Sequence, residues 1–167
     1  MAGRSAWAAG LALALAGASG CPPHNQREGM ERQKESMAHR VDVLEYRIGN
    51  PHWEGGRTTL RLGRDGSATV INERAGQPER RFSGQVVGPA VEALIAQAER
   101  AGLWQVKQRQ TAVPDEAKVT ITLRDRGGTA LREVVLWEGQ FSDAEALKAL
   151  KARLDGHVKE VSGGQVF

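Results

Sequence analysis

Cysteine is almost missing from this chain: Cys21 stands alone among 167 residues. An internal disulfide is therefore excluded, and the fold must rest on its apolar core. Histidine is also scarce, with four residues and no H-E-x-x-H spacing, and C-x-x-C is impossible. A zinc site needs three or four clustered ligands, so no metal is expected. The chain lacks a G-x-S-x-G elbow, a phosphate loop, a dinucleotide fingerprint and the alternating acids of a calcium loop. No cofactor is expected. Neither sign of charge dominates, since 23 Lys and Arg face 20 Asp and Glu. Nucleic-acid binding needs a concentrated basic face, so that class of partner is not expected either. Long apolar runs are absent after the first 20 residues, and crossing a bilayer takes about 20 apolar residues.

What is present begins at the N-terminus. Arg4 precedes an apolar run, AWAAGLALALA, over residues 6–16, and small residues follow from Ala16 to Gly20. A positive start, a short apolar stretch and a small-residue exit are the parts of a secretory signal peptide, which we place at 1–20. Cys21 ends the small-residue stretch. With Ala18-Ser19-Gly20-Cys21, this segment resembles the lipobox of bacterial lipoproteins, with Ala18 where Leu is commonest. The resemblance implies that Cys21 is acylated and becomes the new N-terminus. Ala16-Gly17-Ala18 also fits an ordinary A-x-A cleavage site, which would leave the protein secreted. The resemblance covers the leader alone. It implies a membrane partner through a lipid anchor, with the domain facing the periplasm or the cell surface.

Residues 21–40 carry no regular apolar stripe, and Pro22-Pro23 blocks helix at their start. They read as a flexible, lipid-anchored tether. Residues 41–167 read as a single α+β domain. Alternation over 41–49 turns Leu44, Tyr46 and Ile48 one way and Glu45 and Arg47 the other, toward solvent. Further strands are expected at 57–63, 67–74, 80–86, 117–125 and 129–137, with turns at Asp65-Gly66, Ala75 to Pro78 and Gly127-Gly128. Apolar residues on both faces of 129–137 suggest a central strand or a bulge. One helix is expected after Gly88-Pro89, closed by Gly102. A second should run from 143 to 156 behind a Ser142/Glu145 capping box, with 161–167 as a short tail. The order β-β-β-β-α-β-β-α predicts a mainly antiparallel sheet of five to six strands with both helices on one face.

Four residues stand out as candidates for binding. Trp53 lies in the turn-rich loop N-P-H-W-E-G-G, where its ring either caps an open end of the core or meets a partner. Arg57, Arg61 and Arg81 fall on neighbouring strands. If they share the outer face, they can meet an anionic polymer, lipid headgroups or an acidic partner. The plainer alternative is a solvated face balanced by Asp65, Glu73 and Glu79. His52 and His157 read as surface residues. The expectation is thus a non-catalytic envelope lipoprotein that binds a protein or an envelope polymer. One alternative is a secreted inhibitor or immunity-type binder, which exposed aromatics on the outer face would favour and a charged face would disfavour. The other is a carboxylate-based hydrolase, for which Asp115, Glu116, Glu133 and Glu138 are candidates by residue type alone.

Overall fold

The computed structural model describes residues 40–111 and 115–166. The leader, Cys21 and the tether up to residue 39 lie outside the described residues. The elements follow the expected succession: β1 (Val43–Gly49), β2 (Arg57–Gly63), β3 (Ser67–Glu73), β4 (Arg80–Gln85), α1 (Ala90–Arg100), β5 (Lys118–Arg124), β6 (Ala130–Trp137) and α2 (Glu145–Ser162). The strands form one sheet in the order β4-β3-β2-β1-β5-β6, and every neighbouring pair is antiparallel. A tight turn at 64–66 joins β2 to β3, while longer loops at 50–56, 74–79 and 125–129 join β1 to β2, β3 to β4 and β5 to β6. The connection containing α1 takes the chain from the β4 edge back to the free side of β1.

Register places the apolar half of each strand on one face. Leu44 pairs with Leu62 and Leu123, and Tyr46 with Leu60 and Ile121; Leu60 in turn pairs with Val70. Val91, Leu94, Ile95 and Ala98 of α1 join this face, as do Leu147, Leu150, Leu154 and Val158 of α2, in a single buried cluster. Each large aliphatic side chain buried this way contributes about 1.5–3 kcal/mol. Both helices therefore cover one side of the sheet, as the α+β reading predicts. The opposite side carries no helix among the described residues.

Several local expectations are corrected. Ser142 does not cap α2: residues Glu138–Phe141 form a 3-10 turn that ends at Ser142, and α2 starts after an extended Ala144. The helix also runs on to Ser162, because Val158 and Ser162 continue the buried stripe past residue 156. Val161 is therefore helical, and Val166 is buried against the core rather than lying in a loose tail. β6 is an edge strand, not a central one. Its apolar residues on both faces reflect a register shift at Leu123/Arg124, which frees Leu131 to pack against the core. His157 sits within α2 with its side chain 13% exposed, whereas His52 is exposed.

A polar chain crosses the helix–sheet interface. The Tyr46 hydroxyl, fully buried, donates to Asp155 Oδ1 at 2.8 Å. Lys151 Nζ lies 2.8 Å from the other oxygen of Asp155 and 2.9 Å from Glu138. Burial, with the Asp155 carboxylate beside it, pushes the Tyr46 phenol well above its ordinary range. Burial pulls Lys151 down, but its bonds to Asp155 and Glu138 outweigh that and raise it overall.

The β1–β2 loop is anchored by two glycines with left-handed backbone, Gly49 (φ +94°) and Gly56 (φ +73°). A Cβ on Gly49 would collide with the Gly56 carbonyl. Gly49→Ala is expected to cost about 2 kcal/mol from backbone strain, measured as a lower urea midpoint.

Candidate functional site

The helix-free face of the sheet is built from polar residues in cross-strand rows. One row runs Thr122, Glu45, Arg61, Thr69 and Ser83; the next runs Thr120, Arg47, Thr59, Ile71 and Arg81. Arg57 stands opposite Glu73 on β3. The arginines singled out from sequence, Arg57, Arg61 and Arg81, therefore do share the outer face, and all three are engaged there. Arg57 Nε and Nη2 donate to the two oxygens of Glu73 at 2.9 and 2.8 Å. That fork holds the Glu73 carboxyl below its usual range and raises Arg57. Arg81 donates to Glu79 at 3.0 Å, and Arg61 to Glu45 at 3.0 Å. Asp65 plays no part in this balance. It accepts bonds from the backbone N–H and hydroxyl of Ser67, which lower its pKa.

The acid that replaces Asp65 in the balance is Glu45, and its position corrects the alternation reading. Its side chain is 2% exposed although it points away from the helices. Arg47 approaches one oxygen at 2.8 Å; Arg61 and Arg124 approach the other at 3.0 and 3.6 Å. Long arginine stems lie over the carboxylate and shield it from water, as amphipathic side chains do. Across the face, Arg47, Arg57, Arg61, Arg81, Arg124 and Lys118 outnumber Glu45, Glu73, Glu79 and Glu133. The surface is charged along most of its length and biased to positive.

One end of this face differs. Trp53, 37% exposed and absent from the core cluster, lies on the β1–β2 loop beside a groove of about 450 Å³. Trp137, at the end of β6, lines the same groove with Asn50, Arg57, Asp115 and Lys118. Both walls are fixed by the local backbone. Trp53 N–H donates to the Asn50 carbonyl at 3.0 Å, and Gly56 N–H returns to the Trp53 carbonyl at 2.9 Å. Trp137 Nε1 donates to the Arg109 carbonyl at 2.9 Å, while Lys118 Nζ sits 5.1 Å from its ring centroid. Buried Gln140 bonds to Lys107, Arg109 and Trp137 backbone groups, and Glu116 accepts from Gly139 N–H and Arg109. Trp137 and Lys118 were legible only as an aromatic near a strand end and an outward lysine. Their register partnership is what brings them together.

Asp115 and Glu116 both line this groove, but three of the four acids considered for hydrolysis serve other groups. Glu116 is taken up by Arg109 and Gly139, Glu133 by the Thr122 hydroxyl at 3.0 Å, and Glu138 by Lys151. Among the described residues, no three His, Cys, Asp or Glu side chains cluster as metal ligands. No helix among them is long and apolar enough to cross a membrane. No family model matches the chain, and no curated protein matches it.

Proposed function

We propose that this chain is a non-catalytic lipoprotein of the bacterial cell envelope, anchored through Cys21 and binding a protein or an envelope polymer through the open face of its sheet. The observation that carries the binding reading is the helix-free face, where charged side chains are held in register and a groove between two tryptophans closes one end. The anchor reading rests on the leader and on the placing of the single thiol directly after it. The domain begins within about 20 residues of that thiol, so a tethered domain would stay close to the membrane, where local concentration helps weak binding. The engagement of Glu116, Glu133 and Glu138 by other groups favours a binding role over hydrolysis, and the charged face disfavours the secreted-inhibitor alternative.

Two acyl chains hold a protein at a bilayer far better than one, because each buried methylene adds about 0.8 kcal/mol. The native chain is thus expected in the membrane fraction and in the detergent phase on Triton X-114 partition. Cys21→Ala should move it to the aqueous phase, and globomycin should accumulate the unprocessed precursor. Unchanged partition and processing in both experiments would defeat the anchor. Release of the native chain into the medium would point instead to cleavage after Ala18.

A further inference from the structure

We infer that the groove between Trp53 and Trp137 is a binding site for an uncharged glycan segment, whose sugar rings rest on the two indoles. This rests on reading the domain as a binding module, and it names both the subsite and the ligand chemistry. The first ground is that two tryptophans line one groove. A pyranose ring presents a patch of axial C–H bonds that is apolar, with hydroxyls around its rim. An indole face held at a wet groove suits such a ligand, because it buries that patch without burying the rim. The Trp137 ring is tied through its N–H to the Arg109 carbonyl, and the Trp53 backbone is bonded within its loop, so part of the ordering cost is already met before the ligand arrives.

The second ground is the balance of polar groups. Lys118, whose ammonium lies over the Trp137 ring, and Arg57 offer donors; Asp115 offers acceptors, and the Asn50 side-chain oxygen already accepts from His52 N–H. The charges nearly cancel. Arg57 is already forked onto Glu73, and Glu116 is taken up by Arg109. What is left, one ammonium and one carboxylate, matches a hydroxyl- or acetamide-bearing ligand. A polyanion would meet Asp115 with nothing gained from the neutralised arginine. A few placed polar groups beside apolar walls is the general form of a small-ligand site. Asp115 is also, among the described residues, the one non-glycine with left-handed backbone, φ 63°.

The test is titration of the purified full-length chain, in detergent, with N-acetylglucosamine hexamer and with cellohexaose. Intrinsic tryptophan fluorescence and calorimetry report binding. Heparin serves as the anionic comparator. Saturable binding of either oligosaccharide, weakened at least tenfold by Trp53→Ala and unchanged by Arg81→Ala, would support the site. Trp53 is exposed and outside the core, so its variant should fold; an unchanged urea midpoint checks this. Lys118→Ala should weaken binding as well, without the risk attached to Trp137, which is tied into the fold. Binding of heparin alone, abolished by Arg61→Ala and Arg81→Ala, would overturn the glycan site and leave the envelope reading standing. Oligosaccharide binding that survives Trp53→Ala, or no binding of either sugar, would also overturn it. Recovery of the native chain in the cytosolic fraction would sink the envelope reading alone.

Discussion

Glu45→Ala is expected to destabilise the domain by about 3 kcal/mol, seen as a fall in urea midpoint at constant m-value. The carboxylate is buried, and three guanidiniums converge on it from β1, β2 and β5. Without it, Arg47, Arg61 and Arg124 would share one patch with only the more distant field of Glu73 to offset their repulsion. Breaking a wholly buried pair costs about 3–5 kcal/mol. These arginines are between 29% and 53% exposed, so water screens part of the loss and the lower end applies. Removing Arg47 alone should cost less than about 1 kcal/mol, because two partners remain. Equal losses for Glu45→Ala and Arg47→Ala would show that the carboxylate is not the centre of this cluster.

A comparable loss is expected on the other side of the sheet. Asp155→Ala removes the acceptor of the Tyr46 hydroxyl and one of two acid partners of Lys151. An orphaned buried hydroxyl costs about 1–3 kcal/mol, and a poorly paired ammonium adds to that; we expect about 3 kcal/mol in total. Tyr46→Phe should cost only about 1 kcal/mol, since donor and desolvation leave together. In the Tyr46→Phe background, Asp155→Ala should therefore cost measurably less than it does alone. Strict additivity in that cycle would contradict a coupled chain. The pH dependence has the same origin. Tyr46 and Lys151 both titrate, in the folded chain, above the ordinary values of 10.0 and 10.5 for their side chains. Their contribution is complete below pH 10 and is lost as the pH rises beyond it, because the unfolded chain gives up these protons first. Stability should fall above pH 10, and less steeply in Tyr46→Phe.

The strands were legible because alternation of apolar side chains is a local property. Val119, Ile121 and Leu123 announce their face with no knowledge of their neighbours. The same alternation placed Glu45 on the outer face correctly but as a solvated acid. Its burial depends on arginines from three different strands, and strand order was not readable from the sequence. For β6 the sequence left a central strand and a bulge open, and the structure shows the second, a register shift on an edge strand. Apolar residues on both faces arise in a central strand and at a register shift alike, and only the partner strand decides between them. Ser142 and Glu145 have the spacing of a capping box, yet a 3-10 turn uses Ser142 first. Of the candidate site, Trp53 and the arginines were visible as types and positions. The groove was not, because Trp137 lies 84 residues beyond Trp53 in the chain and comes to line the same groove only through the pairing of β6 with β5 and of β5 with β1.

That pairing also sets the order in which the sheet can be completed. β1 is the first strand made, but it ends up in the interior of the sheet, with β2 on one side and β5 on the other. The meander β1–β4 can assemble from local contacts as the chain appears. Throughout that stage β1 offers an unpaired backbone edge beside an apolar surface, the combination most prone to joining strands from other molecules. Closure must wait for residues 118–124, a long-range step that pays its loop entropy before any hydrogen bond repays it. A chain interrupted before β5 would therefore be a sticky half-sheet, and the hairpin of β5 and β6 acts as the late-arriving cover that makes the molecule safe to release.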